Sequence, residues 1–229
     1  MATFEYNATT DQDELVSEVE RHADQELATG QTVGTNRASM YSNLVTAMRH
    51  VFNAAPREAV DKASADGSGQ AVANVYNATE IELPDDFTRF MELRLADWKR
   101  DLYELVDRRS DQVRMQYNSF TAAGAHNPVA TKAPDPGGAS GELIRCWPQD
   151  ATPTIDRFAY LPELAPEDAP EILKGAIILY ATSYTLAAQR EPGHQIMERA
   201  ANVILRQIEA GQQPMVQPAI EQAREQTDS

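Results

Sequence analysis

The chain has 229 residues, enough for one large domain or two small ones, and its 42% hydrophobic content suffices for a core. Thirty-five acids against twenty lysines and arginines leave a net charge of −15, which argues against a tight grip on nucleic acid, since such binding needs cations to displace counterions. No apolar run approaches the roughly twenty residues of a membrane span, the acidic N-terminus has no apolar signal core, and the single cysteine, Cys146, has no partner for an internal disulfide. The expectation is no membrane span, no secretion and a reducing compartment.

Residues 1–10 form a lead-in. Thr9 and Gln12 have the spacing of a capping box. Leu15, Val16, Val19, Ala23 and Leu27 then recur every three or four residues, which predicts an amphipathic helix over 11–28, ended by Gly30 and Gly34. From Met1 to Gly30, eight acids stand against Arg21 alone, a solvated helix face by default. A second helix is predicted over 36–55. Its stripe (Met40, Tyr41, Leu44, Val45, Met48, Val51, Phe52) is wider than one neighbouring helix requires, so Met40, Tyr41 and Leu44 are candidates for a subunit interface. Residues 57–78 carry little pattern and hold Asp66-Gly67-Ser68-Gly69, which reads as a flexible loop. No Gly-Lys-Ser/Thr follows these glycines, so they do not make a phosphate loop.

The stretch 79–162 is turn-rich and strand-prone. Thr79–Leu83 is a candidate strand. After Pro84-Asp85-Asp86, the residues Met91, Leu93 and Leu95 alternate with Phe90, Glu92 and Arg94, the mark of a strand with one buried face. Leu102–Val106 is a plausible hairpin partner for it. One helix over Asp85–Val106 is the other reading, because charge is frequent and no Pro or Gly interrupts this stretch. A short helix capped by Ser110 is expected to Tyr117, followed by strands at Pro128–Ala133, Glu142–Trp147 and Ile155–Leu161, with a loop over 133–141.

Past Pro162 the texture turns helical. Asp168 is a candidate cap for a helix with Pro170 in its first turn, carrying Ile172, Leu173, Ala176, Ile177, Tyr180, Ala181, Tyr184 and Ala188. Glu191-Pro192-Gly193 breaks it. Ile196, Met197, Ala200, Val203, Ile204 and Ile208 make a further helix, ended by Gly211. Gln212–Ser229 is polar, with Pro214 and Pro218, and reads as an extended tail that orders on a partner.

The predicted fold is therefore α+β and mainly α. It is a four-helix bundle made by an N-terminal half (1–78, with its loop) and a C-terminal half (163–211), with a strand-rich region (79–162) inserted and a tail (212–229).

Catalytic chemistry is not apparent in this pattern. His22, His50, His126 and His194 have no zinc spacing with one another or with Cys146, and His22 reads as solvated. Cys146, in a strand beside Trp147, reads as buried and inert. No serine lies in a Gly-x-Ser-x-Gly elbow, and Asp85-Asp86 is not distinguished from chance among so many acids. We expect no catalytic, cofactor-binding or metal-binding residues and no cofactor. Lys99, Arg100, Arg108, Arg109 and Arg114, near Trp98, Tyr103 and Tyr117, form the one notable basic cluster. In so acidic a chain an acidic protein surface is its default partner, ahead of a phosphate backbone.

The order of short motifs across roughly 80–190 carries a resemblance. Leu83-Pro84-Asp85-Asp86-Phe87 precedes the alternating strand, then Asp97-Trp98-Lys99-Arg100, Tyr103-Glu104-Leu105, Met115-Gln116-Tyr117-Asn118 and Asn127-Pro128-Val129-Ala130. Trp147-Pro148, Phe158-Ala159-Tyr160-Leu161-Pro162 and Ala176-Ile177-Ile178-Leu179-Tyr180-Ala181 follow. This resembles the head–tail connector, or adaptor ring, proteins of tailed bacteriophages, above all those of short-tailed phages including the crAss-like group. The resemblance implies a helical core with an inserted β region and a homo-oligomeric, twelve-fold ring below the portal protein. Such a ring continues the channel for double-stranded DNA without binding it specifically and gives tail or nozzle proteins a platform. It implies a virion protein at the head–tail interface, made in the host bacterial cytoplasm. An extended terminal segment docks on the portal in several members, and here Gln212, Pro214, Pro218 and Ile220 would supply it. Arg108, Arg109 and Arg114 would meet the acidic first helix of a neighbouring subunit. Two other classes stay open: an acidic binding protein (a DNA mimic or assembly chaperone) and an enzyme built on scattered carboxylates.

Overall fold

A computed structural model of the chain describes residues 4–27, 36–118, 120–135 and 141–227. The expected helix stops at Gly30 and Gly34 and most of the 133–141 loop lie outside these residues. In chain order the elements are α1 (Thr10–Glu26), α2 (Arg37–Ala54), α3 (Arg57–Val60), β1 (Ala65–Asp66), β2 (Val72–Val75), β3 (Ala78–Glu82) and β4 (Phe87–Leu95). Then come α4 (Asp111–Met115), β5 (Val129–Pro134), β6 (Glu142–Trp147), β7 (Ile155–Pro162), α5 (Glu171–Ala188), α6 (His194–Glu209) and α7 (Val216–Glu225). The fold is mixed α and β, and its strands pair antiparallel in two sheets. Contacts divide it into a helical unit, built from residues up to Lys62 and from Leu164 onward, and a β unit, Ala63–Glu163. No helix among the described residues is long and apolar enough to cross a membrane.

In the helical unit α5 is the hub. It packs against α1, α2 and α6, which is why apolar residues occur on nearly every side of it and ten of its positions are buried. Polar bonds fix the neighbours: Asn43 Nδ2 of α2 donates to Thr185 Oγ1 at 3.0 Å, and the Tyr180 hydroxyl donates to Asn202 Oδ1 of α6 at 2.9 Å. The Tyr41 hydroxyl donates to Glu167 Oε2 (2.8 Å) and accepts from Gln12 Nε2 (3.2 Å), which ties α1 and α2 to the 3-10 turn Pro166–Asp168. Burial, with the Glu167 bond next, pushes the Tyr41 phenol well above its ordinary pKa, so it remains a donor.

Several expectations change here. Thr9 makes no side-chain cap; the Gln12 amide oxygen accepts from Asn7 N instead, two residues before the N-cap, because its amide nitrogen is engaged by Tyr41 and Glu167. Asp168 does not cap α5, since it is spent in the 3-10 turn and Pro170 takes the N-cap position. His22 is not solvated. It shares the buried face of α1 with Val19 and Ala23, and burial, with Arg21 beside it, lowers its pKa. Gln212–Ser229 is not an extended tail, because α7 occupies its middle with Ala219, Ile220 and Ala223 buried. Pro218 falls in the first turn of α7, where its missing N–H has no intrahelical partner to lose. α7 packs on α6, and Gly175 of α5 lets it close: a Cβ there would sit 2.9 Å from Val216 Cγ2.

The β unit has sheets of order β1-β7-β4 and β2-β3-β6-β5. One core lies between them. Ile81, Ile144, Cys146 and Ala130 come from one sheet, Leu93, Leu95, Phe158 and Tyr160 from the other, and Trp98 joins them after β4. The strand read in the sequence is present and Met91, Leu93 and Leu95 are all buried, but strict alternation fails at Glu92, which is buried too, next to a register shift between Phe90 and Glu92. The helix reading of 85–106 is excluded. The hairpin is reduced to one two-bond bridge, Leu93 to Leu102, because the full-length partner of β4 is β7 and the chain past Leu102 leaves for β5, where Val106 N donates to Ala130 O. The expected 57–78 loop instead supplies α3 and two short strands. β1 lies beside β7, and Gly67 allows the chain to pass against Phe158, whose Cδ1 would be 2.5 Å from an added Cβ. Ser110 does cap α4, its hydroxyl accepting from Val113 N.

Candidate functional site

The residues expected at a subunit surface fall into two groups. Met40, Tyr41 and Leu44 are fully buried within the helical unit, so they are core and offer no interface. The stripe of α2 is wide because α5, α1 and the turn before α5 cover it on several sides. The basic cluster, in contrast, is on the surface. Arg108 and Arg109 occupy the turn before α4, where Arg109 N donates to Asp107 Oδ1, and Arg114 projects from α4 beside Asp111 at 3.3 Å. Both members of that last pair are largely exposed, so it adds little stability. The β unit's ion pairs run through Arg94, Arg114, Lys132, Arg145 and Arg157, and among the described residues none engages Lys99, Arg100, Arg108 or Arg109. Trp98 is not part of this surface. It is completely buried, its Nε1 donating to Pro148 O at 3.2 Å.

Sequence reading placed Tyr103 and Tyr117 near this cluster and missed Met115 and Phe120. Tyr103, Met115 and Tyr117 are half exposed and Phe120 is 96% exposed. The chain that carries them is held in shape by polar bonds: Lys99 N to Ala125 O, Thr121 Oγ1 to Met115 O, and Ala123 N to Gln116 Oε1 at 2.7 Å. Tyr117 stands edge-on to the buried Trp147, with ring centroids 6.1 Å apart. The surface therefore presents aromatic rings and four cations that have no ion-pair partner among the described residues. The signal for it was present in the spacing Tyr103, Met115, Tyr117, Phe120, but no periodicity marks an exposed loop.

A second surface lies in the helical unit. A groove of about 650 Å³ runs between α1, α5 and the start of α7. Leu15, Ile172, Ile178 and Val216 supply apolar lining, and Asp11, Glu14, Glu18 and Glu171 supply carboxylates. Ile172 is 41% exposed, unusual for an isoleucine. Gln212 is exposed and Pro214 lines this groove, whereas Ile220 is buried on α7, which packs on α6, and cannot serve a partner unless α7 undocks.

Two titratable sites inside the β unit are structural. Cys146 is wholly buried, and burial raises its thiol pKa, which keeps it protonated and unreactive. Asp150 is almost wholly buried between two turns and accepts from Asp97 N (3.3 Å) and Thr152 N (2.9 Å), while Asp97 Oδ2 accepts from Ala151 N (3.1 Å). Burial first, and the neighbouring Asp97 carboxyl, raise the Asp150 pKa against the lowering effect of the two backbone donors. The native state then binds more protons than the unfolded chain from the ordinary Asp range, about 3.9, up to the raised value, so stability falls as pH rises through that window. Asp97→Asn keeps an oxygen for Ala151 N and replaces a like charge with a donor. It is expected to stabilise the protein at neutral pH by about 1 kcal/mol, with the gain vanishing in acid. Urea midpoints of both chains from roughly pH 3 to pH 8 check this.

No family model matches the chain, and no curated protein matches it.

Proposed function

We propose that the chain is a structural subunit of a head–tail adaptor in a tailed bacteriophage. Copies of it form a ring of twelve below the portal. The ring continues the DNA channel and carries the tail or nozzle proteins. The observation that carries this reading is the arrangement of the chain: residues from both ends build one helical unit around α5, and a two-sheet β unit is inserted between them. In this reading α1, α2, α5 and α6 are the four-helix core of the subunit and α7 is its outer cover. The resemblance of the motif order over 80–190 to head–tail connector proteins implies the same plan.

The charge supports it too. A wall with a net negative charge repels the duplex and lets it move, whereas a basic lumen would hold it. The net −15 suits a conduit for DNA. A closed ring needs two different complementary faces on each subunit, and the chain carries a basic aromatic surface and an acidic apolar one. The test is composition of the finished particle. Purified virions of the phage whose genome encodes the chain should contain it at twelve copies for each portal ring. Its absence from virions would favour an assembly chaperone.

A further inference from the structure

We propose that the basic aromatic face of the β unit docks in the acidic groove of the helical unit of a second copy of this chain. The proposal deepens the ring reading and rests on it. On one side, the stretch 99–120 exposes Tyr103, Met115 and Phe120, and it also carries the exposed Arg108 and Arg109, whose side chains have no ion-pair partner among the described residues; Tyr103 and Met115 line one depression together with Arg100, Asp101 and Glu104. On the other, the groove between α1 and α5 is lined by the exposed Ile172 and the half-buried Leu15 together with Asp11 and Glu14, and its one lysine, Lys174, is paired with Glu171. Each surface supplies what the other lacks. Aromatic and methionine side chains need a desolvated apolar seat, which the groove floor offers at a size that admits a few side chains. Arginines at the edge of that seat would lie near carboxylates of opposite sign, which steers encounter and fixes register.

The helical unit alone carries a net charge of −9, ten cations against nineteen acids, so two copies meeting through their grooves would repel. Groove to basic face is the pairing that removes this repulsion. It is also heterologous: each copy uses its groove on one neighbour and its basic face on the other, so the contact propagates until a ring closes. A monomer that keeps both surfaces in water exposes an ordered apolar patch, the usual mark of a protein contact.

The test uses the full chain and reciprocal charge reversal. One variant carries Arg108→Glu with Arg109→Glu, the other Asp11→Lys with Glu14→Lys; all four positions are exposed, so both chains should fold, which circular dichroism checks. A third variant, Phe120→Ser, removes the apolar anchor without changing charge. Native mass at low salt is the readout. The wild-type chain should assemble, and each reversed chain alone should self-associate at least about tenfold more weakly, as should Phe120→Ser. An equimolar mixture of the two reversed chains should assemble again, because every contact in an alternating ring then joins opposite charges. The assembly should contain an even number of copies. Reversed chains that assemble like wild type, or a mixture that stays dissociated, would overturn this contact and leave the ring reading standing. A wild-type chain that never exceeds a monomer would overturn the contact as well, and the ring reading would then be decided by mixing with the portal.

Discussion

Trp98→Ala is expected to destabilise the β unit by about 3–5 kcal/mol, the range for deleting a large buried aromatic side chain. Trp98 is wholly buried in the core shared by both sheets, against Leu93, Leu95 and Phe158. Its removal leaves a cavity where side chains from two sheets converge, and the frame of antiparallel strands restricts collapse into it. It also leaves Pro148 O without the indole donor at 3.2 Å. Trp98→Phe separates the two effects: it retains most of the apolar contact and loses the bond, for about 1–3 kcal/mol. Urea denaturation followed by circular dichroism measures both. A change under 1 kcal/mol for the alanine variant would mean that Trp98 faces solvent, as a ligand-contacting residue of the basic cluster would.

The second large effect concerns α7. Ile220→Ala removes the largest side chain that α7 buries, beside Ala219 and Ala223. In a rigid core this would cost about 2–5 kcal/mol. Here the loss is capped by the docking energy of a ten-residue helix, since beyond that limit α7 leaves its seat while the rest of the unit stays folded. Docking has other contributors: Arg224 pairs with Glu26 of α1, and Arg199 Nη1 of α6 donates to Thr227 Oγ1 at 2.8 Å. Amide exchange in α7 should therefore rise roughly thirtyfold in the variant, the effect of about 2 kcal/mol on an opening equilibrium. Exchange in α5 should hardly change. Unprotected α7 amides in the wild-type chain would restore the picture of an extended tail.

The helices and most strands were legible because periodicity and burial agree. β6 occupies the predicted range, Glu142–Trp147, and α5 begins within a residue of its first apolar position, Ile172. The failures have physical causes. β1 and β2 are short, and β2 lies at a sheet edge with three of its four residues exposed, so alternation of burial has nothing to act on. α7 has a stripe only three residues wide and a proline in its first turn, and local composition cannot report that α5 and α6 have a seat waiting for it. The interface assigned to Met40, Tyr41 and Leu44 failed because a wide apolar stripe measures how many neighbours a helix has, without saying whether they belong to the same chain. The basic cluster lies on the surface because charge resists burial; of the aromatic residues read beside it, Tyr103 and Tyr117 are exposed and Trp98 is core, while Met115 and Phe120 became visible only with the fold.

The central claim, a ring subunit that joins a portal, is tested most directly by native mass of the purified chain, alone and mixed with the portal protein from the same genome. The account predicts a species of twelve copies, formed alone or on the portal. A chain that remains monomeric and ignores the portal would contradict it and leave an acidic binding protein as the working description.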